Sequence, residues 1–173
     1  MGNIAVTSPF FISQCLAALA FVAGLVGFQC KHLKQVLICF SICSFLVSIH
    51  FALLGAWTAM VVVGLSGIRH FTAIFYRKKR ALFFFLTLLV ISTILTYKEP
   101  VNLLAAFASF VGTFGSFAKS TARARLLWTN ATIANICHNY IIHSPVATMM
   151  EIFFLISNII AYRRHERRKP NPI

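Results

Sequence analysis

Fourteen of the sixteen Lys and Arg residues in this chain fall in four short gaps between apolar segments. They sit at Lys31 and Lys34, at Arg77 to Arg80, at Lys119, Arg123 and Arg125, and at Arg163 to Lys169. The alternate gaps, around Gly55, Lys98 and Ser144, hold one basic residue between them. In a bilayer this one-sided spacing is the positive-inside pattern, which sets orientation as well as class. It predicts a polytopic membrane protein with its amino end outside and its carboxyl end in the cytoplasm.

Composition points the same way. The chain is 59% hydrophobic and 11% charged, with three acids (Glu99, Glu151, Glu166) and no Asp, too few charges to coat a soluble globule. The net charge of +13 would ordinarily raise nucleic-acid binding. Here the positives stand at segment ends, where their partners are the lipid bilayer and its anionic headgroups, so no nucleic acid is expected. Five Cys fall mostly in apolar segments without a CxxC pair, and read as small core residues and not as a disulfide or zinc framework. Residues 1–8 carry no basic run, so the first apolar segment reads as a retained helix.

A spanning helix needs about 20 apolar residues. The candidate spans are 9–28, 36–54, 56–76, 81–97, 101–118, 126–143 and 145–162, joined by short connections. The expected fold is all-α: seven transmembrane helices in one membrane domain. Segment 126–143 is too polar to face lipid and must lie inside the bundle or line a watery cavity. A shift of 88 positions lays the first three helices on the last three without a gap. Gly24 falls on Gly112, Gly27 on Gly115, Lys31 on Lys119, His50 on His138, Ala73 on Ala161 and Arg80 on Arg168. One helix, 81–97, separates the repeats 9–80 and 101–168, which gives both triplets the same orientation, a 3-1-3 layout. Parallel repeats of this kind occur in transporters, with the substrate site at the repeat interface.

At about 1.5 Å per helical residue, His50, His138 and Glu151 come to a similar level near the outer boundary, while Arg69 and His70 lie deeper. Ser157 and Asn158, the repeat equivalents of Arg69 and His70, reach that deeper level, so two polar layers are expected along one axis. An ionisable group in a bilayer is costly unless paired or hydrated. For Glu151 the bundle-locking reading is a bond to His50, His138 or Arg69, and the functional reading is a protonatable site that couples proton to solute movement. For Arg69 the choices are a partner such as Glu151 or helix-end carbonyls, or an anionic group that the guanidinium grips. Asn135, His138 and Asn139 share one helix face and serve either as interhelical hydrogen-bond glue or as ligand contacts. The candidate substrate or coupling residues are therefore His50, Arg69, His70, Asn135, His138, Asn139, Glu151 and Asn158. Paired glycines three apart, such as Gly24 with Gly27 and Gly112 with Gly115, read as points of close helix approach. No catalytic constellation, metal spacing or cofactor motif is present in the sequence, so no enzyme is expected.

His50-Phe-Ala-Leu-Leu-Gly55 followed by Arg69 resembles the pattern of the YgjV-type bacterial inner-membrane proteins. So does the run Ile136-Cys-His138-Asn139, then Ser144, Thr148, Glu151, Phe154-Leu155 and Asn158. The resemblance spans roughly 11–165 and implies a multi-pass protein of the bacterial inner membrane. It extends distantly to the SWEET and PQ-loop group, which implies two parallel three-helix bundles joined by a linker helix. The Pro-Gln pair of that group is absent: Phe28-Gln29 and Ser116-Phe117 stand near its places. Asn158 matches one of the two SWEET-type site asparagines, and His70 stands at the other. The function expected is a small-solute transporter or facilitator with a polar axis between the repeats. The alternative is a non-transporting scaffold, sensor or partner subunit. Oligomer formation stays open, although two triplets in one chain already complete a bundle pair.

Overall fold

In a computed structural model the chain is described over residues 9–55, 57–97 and 99–166. Expectations resting on residues 1–8, Lys98, Arg167, Arg168 and Lys169, including the Arg80–Arg168 match, lie outside these. Seven helices follow one another, with no strand among the described residues: α1 Pro9–Gln29, α2 Leu33–Leu53, α3 Trp57–Phe75, α4 Lys79–Thr96, α5 Asn102–Ser116, α6 Thr121–Ile141 and α7 Pro145–Glu166. Gly55 turns the chain with φ 71° between α2 and α3, and His143 does so with φ 55° before α7. Pro145, whose missing N–H costs nothing in a first turn, opens α7.

The largest departure from the expected boundaries is α6, which begins at Thr121 instead of 126. The Ser120 hydroxyl caps it by accepting from the Arg123 amide at 3.3 Å. Arg123 and Arg125, counted as loop charges in the sequence, therefore stand in the helix, and Arg125 is only 1% exposed.

Consecutive helices pack on one another within 1-2-3 and within 5-6-7, α1 also meets α7, and α3 meets α5. These contacts close six helices into a ring. α4 stays outside, against α5 and more lightly α3. The outer surface is largely apolar, and polar side chains are buried inside beside an apolar core. Leu95, Tyr140, Phe75 and Ile94 are exposed, whereas Ser13, Ser41, Thr113, Ser116, Thr132, Ser157 and Asn158 are buried. Such an inversion suits hydrocarbon as the surrounding solvent. By length and composition two helices, α1 and α2, are long and apolar enough to cross a membrane. In α3 and α5 the apolar stretches Met60–Phe75 and Asn102–Ser116 are shorter, and in α6 Arg123, Arg125 and three Asn dilute the apolar run. Cys15 and Cys137 are exposed and the other cysteines half-buried, so they are not core residues as expected.

The main core cluster joins both triplets at one end. It holds Phe28 at the end of α1, Leu33, Val36 and Leu37 at the start of α2, Ala73 late in α3, Ala118 after α5, and Ala124 and Trp128 early in α6. All of these are the helix ends that adjoin basic gaps. Close approach there depends on two glycines. A Cβ at Gly27 would meet the Phe40 ring at 2.9 Å, and one at Gly115 would meet Trp128 Nε1 at 2.6 Å. Phe40 and Trp128 are themselves in edge-to-face contact, with ring centroids 5.0 Å apart.

Candidate functional site

A cavity of about 350 Å³ lies inside the ring, within the range of small-ligand sites, and all six ring helices contribute to its wall. Phe28, Phe40, Trp128 and Phe154 form an aromatic floor next to the core cluster. Higher up stand Ser44, Ser66, Ser109, Thr132 and Asn135, with Arg69, His70 and Glu151 as the ionisable groups.

Helix α3 brings Arg69 to the wall shared with α5, where Nη1 donates to Thr113 Oγ1 at 2.7 Å. The Thr113 hydroxyl donates to Ser109 O at 2.7 Å, so its oxygen is left free to accept from the arginine. The Arg69 Nε and the His70 Nδ1 are buried without a hydrogen-bond partner among the described residues. Across the cavity, Asn135 of α6 donates to Glu151 Oε1 of α7 at 3.1 Å. Arg69 and Glu151 line one cavity and form no ion pair within 4.0 Å, with each other or with any other described residue. Glu151 is thus held by an amide, and not by the His50, His138 or Arg69 partner expected from the sequence.

The expected outer layer does not assemble. His50 Nδ1 lies 2.8 Å from Ser13 O and ties α2 to α1. His138 Nδ1 faces its own neighbour, Asn139 Oδ1, at 3.3 Å, and neither residue lines the cavity. Of the shared face on α6, Asn135 alone reaches the cavity wall.

The inner layer divides in two. Arg69 and His70 face the cavity, while Asn158, 0% exposed, lies in a separate network. Its Nδ2 donates to Arg125 O and to Thr129 Oγ1, each at 2.9 Å, and its Oδ1 accepts from Arg125 Nη1 at 3.2 Å. Arg125 also donates to Phe28 O at 2.7 Å and to Cys30 O at 2.6 Å, the carbonyls that end α1. Beside it, Gln29 donates to Ser157 Oγ at 2.6 Å and accepts from Arg164 Nη2 at 2.8 Å. These bonds fasten the end of α1 to α6 and α7.

Sequence reasoning missed Thr113 and Arg125. For Arg125 a signal existed: Ser120, three residues before Arg123, is an N-cap residue type that starts the helix early and puts Arg125 one turn inside it. For Thr113 there was none, because its role depends on which helix faces α3.

The profile of the Imp-YgjV family, described as bacterial inner membrane protein, matches residues 11–169. Inner membrane protein YgjV of Escherichia coli (strain K12) is 25% identical over 168 residues, covering 95% of this chain and 92% of that protein. No solved structure matches the chain. The match over nearly the whole length means that this chain belongs to the Imp-YgjV family of bacterial inner membrane proteins.

Proposed function

We propose that the protein is a small-solute transporter or facilitator whose path runs through the six-helix cavity. The observation that carries this reading is a cavity lined from both triplets, aromatic on one side and polar on the other, in which a cation and a carboxylate stand unpaired. A scaffold would be expected to pair its buried ionisable groups with one another, since each costs several kcal/mol in a bilayer when left alone. Arg69 would grip an anionic group, and Glu151 would be neutralised cyclically by a proton or by substrate.

In this reading all seven helices span the membrane as two parallel triplets with α4 as the linker. The helix contacts support it: exchanging α1 with α5 and α3 with α7 turns the α1–α7 contact into the α5–α3 contact. Burial recurs at the 88-residue shift, with Ala20 and Ala108, Val36 and Ala124, His70 and Asn158, and Ala73 and Ala161 all buried. The Gly27–Phe40 contact falls on Gly115–Trp128 under the same shift. With the basic gaps cytoplasmic, the core cluster and the Arg125 network close the cavity from inside, and the conformation is outward-facing.

Two thiol-labelling experiments on a cysteine-free background test this. For orientation, Glu99→Cys is expected to react with a membrane-impermeant reagent in intact cells, and Lys78→Cys only after permeabilisation. The reverse would invert the topology. For alternating access, Ser109→Cys in the cavity wall is expected to react from outside in right-side-out vesicles and, more slowly, from the cytoplasmic face in inside-out vesicles. Reaction from one side alone would sink the transport reading.

A further inference from the structure

The two interior arginines differ at their terminal nitrogens. In Arg125 both are taken by protein, Nη1 by the Phe28 carbonyl and the Asn158 side chain and Nη2 by the Cys30 carbonyl. In Arg69, Nη1 reaches Thr113, Nε is buried without a partner, and Nη2 is neither hydrogen-bonded nor buried. His70, 8% exposed, adds an unpartnered Nδ1 at the same wall. A guanidinium presents five donors in a fixed fork suited to a carboxylate or another oxyanion. Donors left idle in a low-dielectric interior mark a place for such a group.

The opposite wall carries the complementary vacancy. Glu151 accepts one hydrogen bond, from Asn135 to Oε1, and no other described residue reaches its carboxylate. Arg69 lies twelve residues into α3 and Glu151 six residues into α7. Both helices start from outer turns, so the two side chains differ in height by about 9 Å at 1.5 Å per residue. That separation is spanned by the two side chains together with a short molecule. Charge then selects the class of occupant. A simple anion would satisfy Arg69 and leave a second negative charge beside Glu151, and a simple cation would do the converse. A molecule with a carboxylate at one end and an ammonium at the other compensates both walls and adds no net charge, the condition under which buried charges are tolerated.

We propose that the cavity binds a small dipolar ion of the amino-acid class, its carboxylate on the Arg69 and His70 wall and its ammonium on Glu151. This rests on the reading of the cavity as a solute site. The aromatic floor of Phe28, Phe40 and Trp128 would pack against the apolar part of the ligand.

The chain has two tryptophans, Trp57 and Trp128, so full-length protein carrying Trp57→Phe reports the cavity floor by Trp128 fluorescence. In detergent, millimolar L-serine, L-glutamine or γ-aminobutyrate is expected to give a saturable change, whereas lactate and ethanolamine give none. Arg69→Lys and Glu151→Asp keep each charge but misplace it, and each is expected to weaken binding about tenfold or more. Arg69→Gln and Glu151→Gln are expected to abolish it. Melting curves confirm that each variant is folded, and the Lys and Asp variants carry the test if a Gln variant is not. Lactate binding that strengthens in Glu151→Gln would overturn the proposal in favour of a plain anion site. No response to any of the three dipolar ions, or a response indifferent to Arg69 and Glu151, would overturn it as well. Cavity labelling from both membrane faces without such binding overturns this ligand class alone. Binding with labelling from one face overturns transport and leaves the ligand class standing.

Discussion

Replacing Arg125 with Ala is expected to lower stability by about 3–5 kcal/mol, the effect of stripping several charge-assisted hydrogen bonds from a buried site at once. Phe28 lies in the last turn of α1 and Cys30 just beyond its end, where carbonyl groups lack intrahelical partners. Arg125 supplies donors to two of them and places a positive charge at the negative end of the helix. Its removal also leaves Asn158 Oδ1 without its donor. In a protein of this size the melting temperature in detergent should fall by about 10 °C. Arg125→Lys should recover only part of this, since one ammonium cannot reproduce a planar fork that reaches three oxygens. Arg125→Met keeps much of the volume and supplies no donor, so it should resemble Ala more than Lys. An unchanged melting temperature in the Ala variant would mean that other groups satisfy the end of α1.

Two glycines on one helix are expected to respond in opposite ways to the same added methyl. In Gly115→Ala the new Cβ would fall 2.6 Å from Trp128 Nε1 and 2.8 Å from Cδ1. The indole is 5% exposed, packs edge-to-face on Phe40 and donates to Gly112 O at 3.3 Å, so it has little freedom to retreat. The expected cost is about 3 kcal/mol, at the upper end for overpacking a core. In Gly112→Ala the nearest atom is Ala131 Cβ at 3.9 Å, an ordinary contact. There the gain in helix propensity of up to about 1 kcal/mol in a soluble helix makes the change neutral or mildly stabilising. Melting curves of the two variants separate the cases, and adding Trp128→Phe to Gly115→Ala should restore part of the loss. Equal destabilisation at both positions would show that the α5–α6 approach is not as close as described.

The helices were readable in the sequence because the bilayer leaves few alternatives. An apolar run of spanning length has to satisfy its own backbone, which makes it a helix, and basic gaps then order the runs. Ala20 and Ala108, and Ala73 and Ala161, recur at one shift, but that they are buried came only from the packing. The start of α6 was misread because two arginines next to an apolar run look like a loop, while the cap that starts the helix is a local hydrogen bond at Ser120.

Within the candidate site, sequence singled out Arg69, His70, Asn135 and Glu151, because polar groups among apolar neighbours need a reason to be there. It could not say which of them meet. His50 and His138 stand at matching repeat positions at a similar estimated depth, yet each is taken up by a nearby group outside the cavity, Ser13 O and Asn139. Depth follows from counting residues along a helix, but facing follows from rotation about the axis, and rotation is set by the neighbours a helix packs against. Arg125 and Arg69 are the same residue type with opposite fates for that reason. One is turned into the end of α1, where carbonyls take both of its terminal nitrogens, and the other is turned into the ring, with Nη2 to spare, opposite a carboxylate it does not touch.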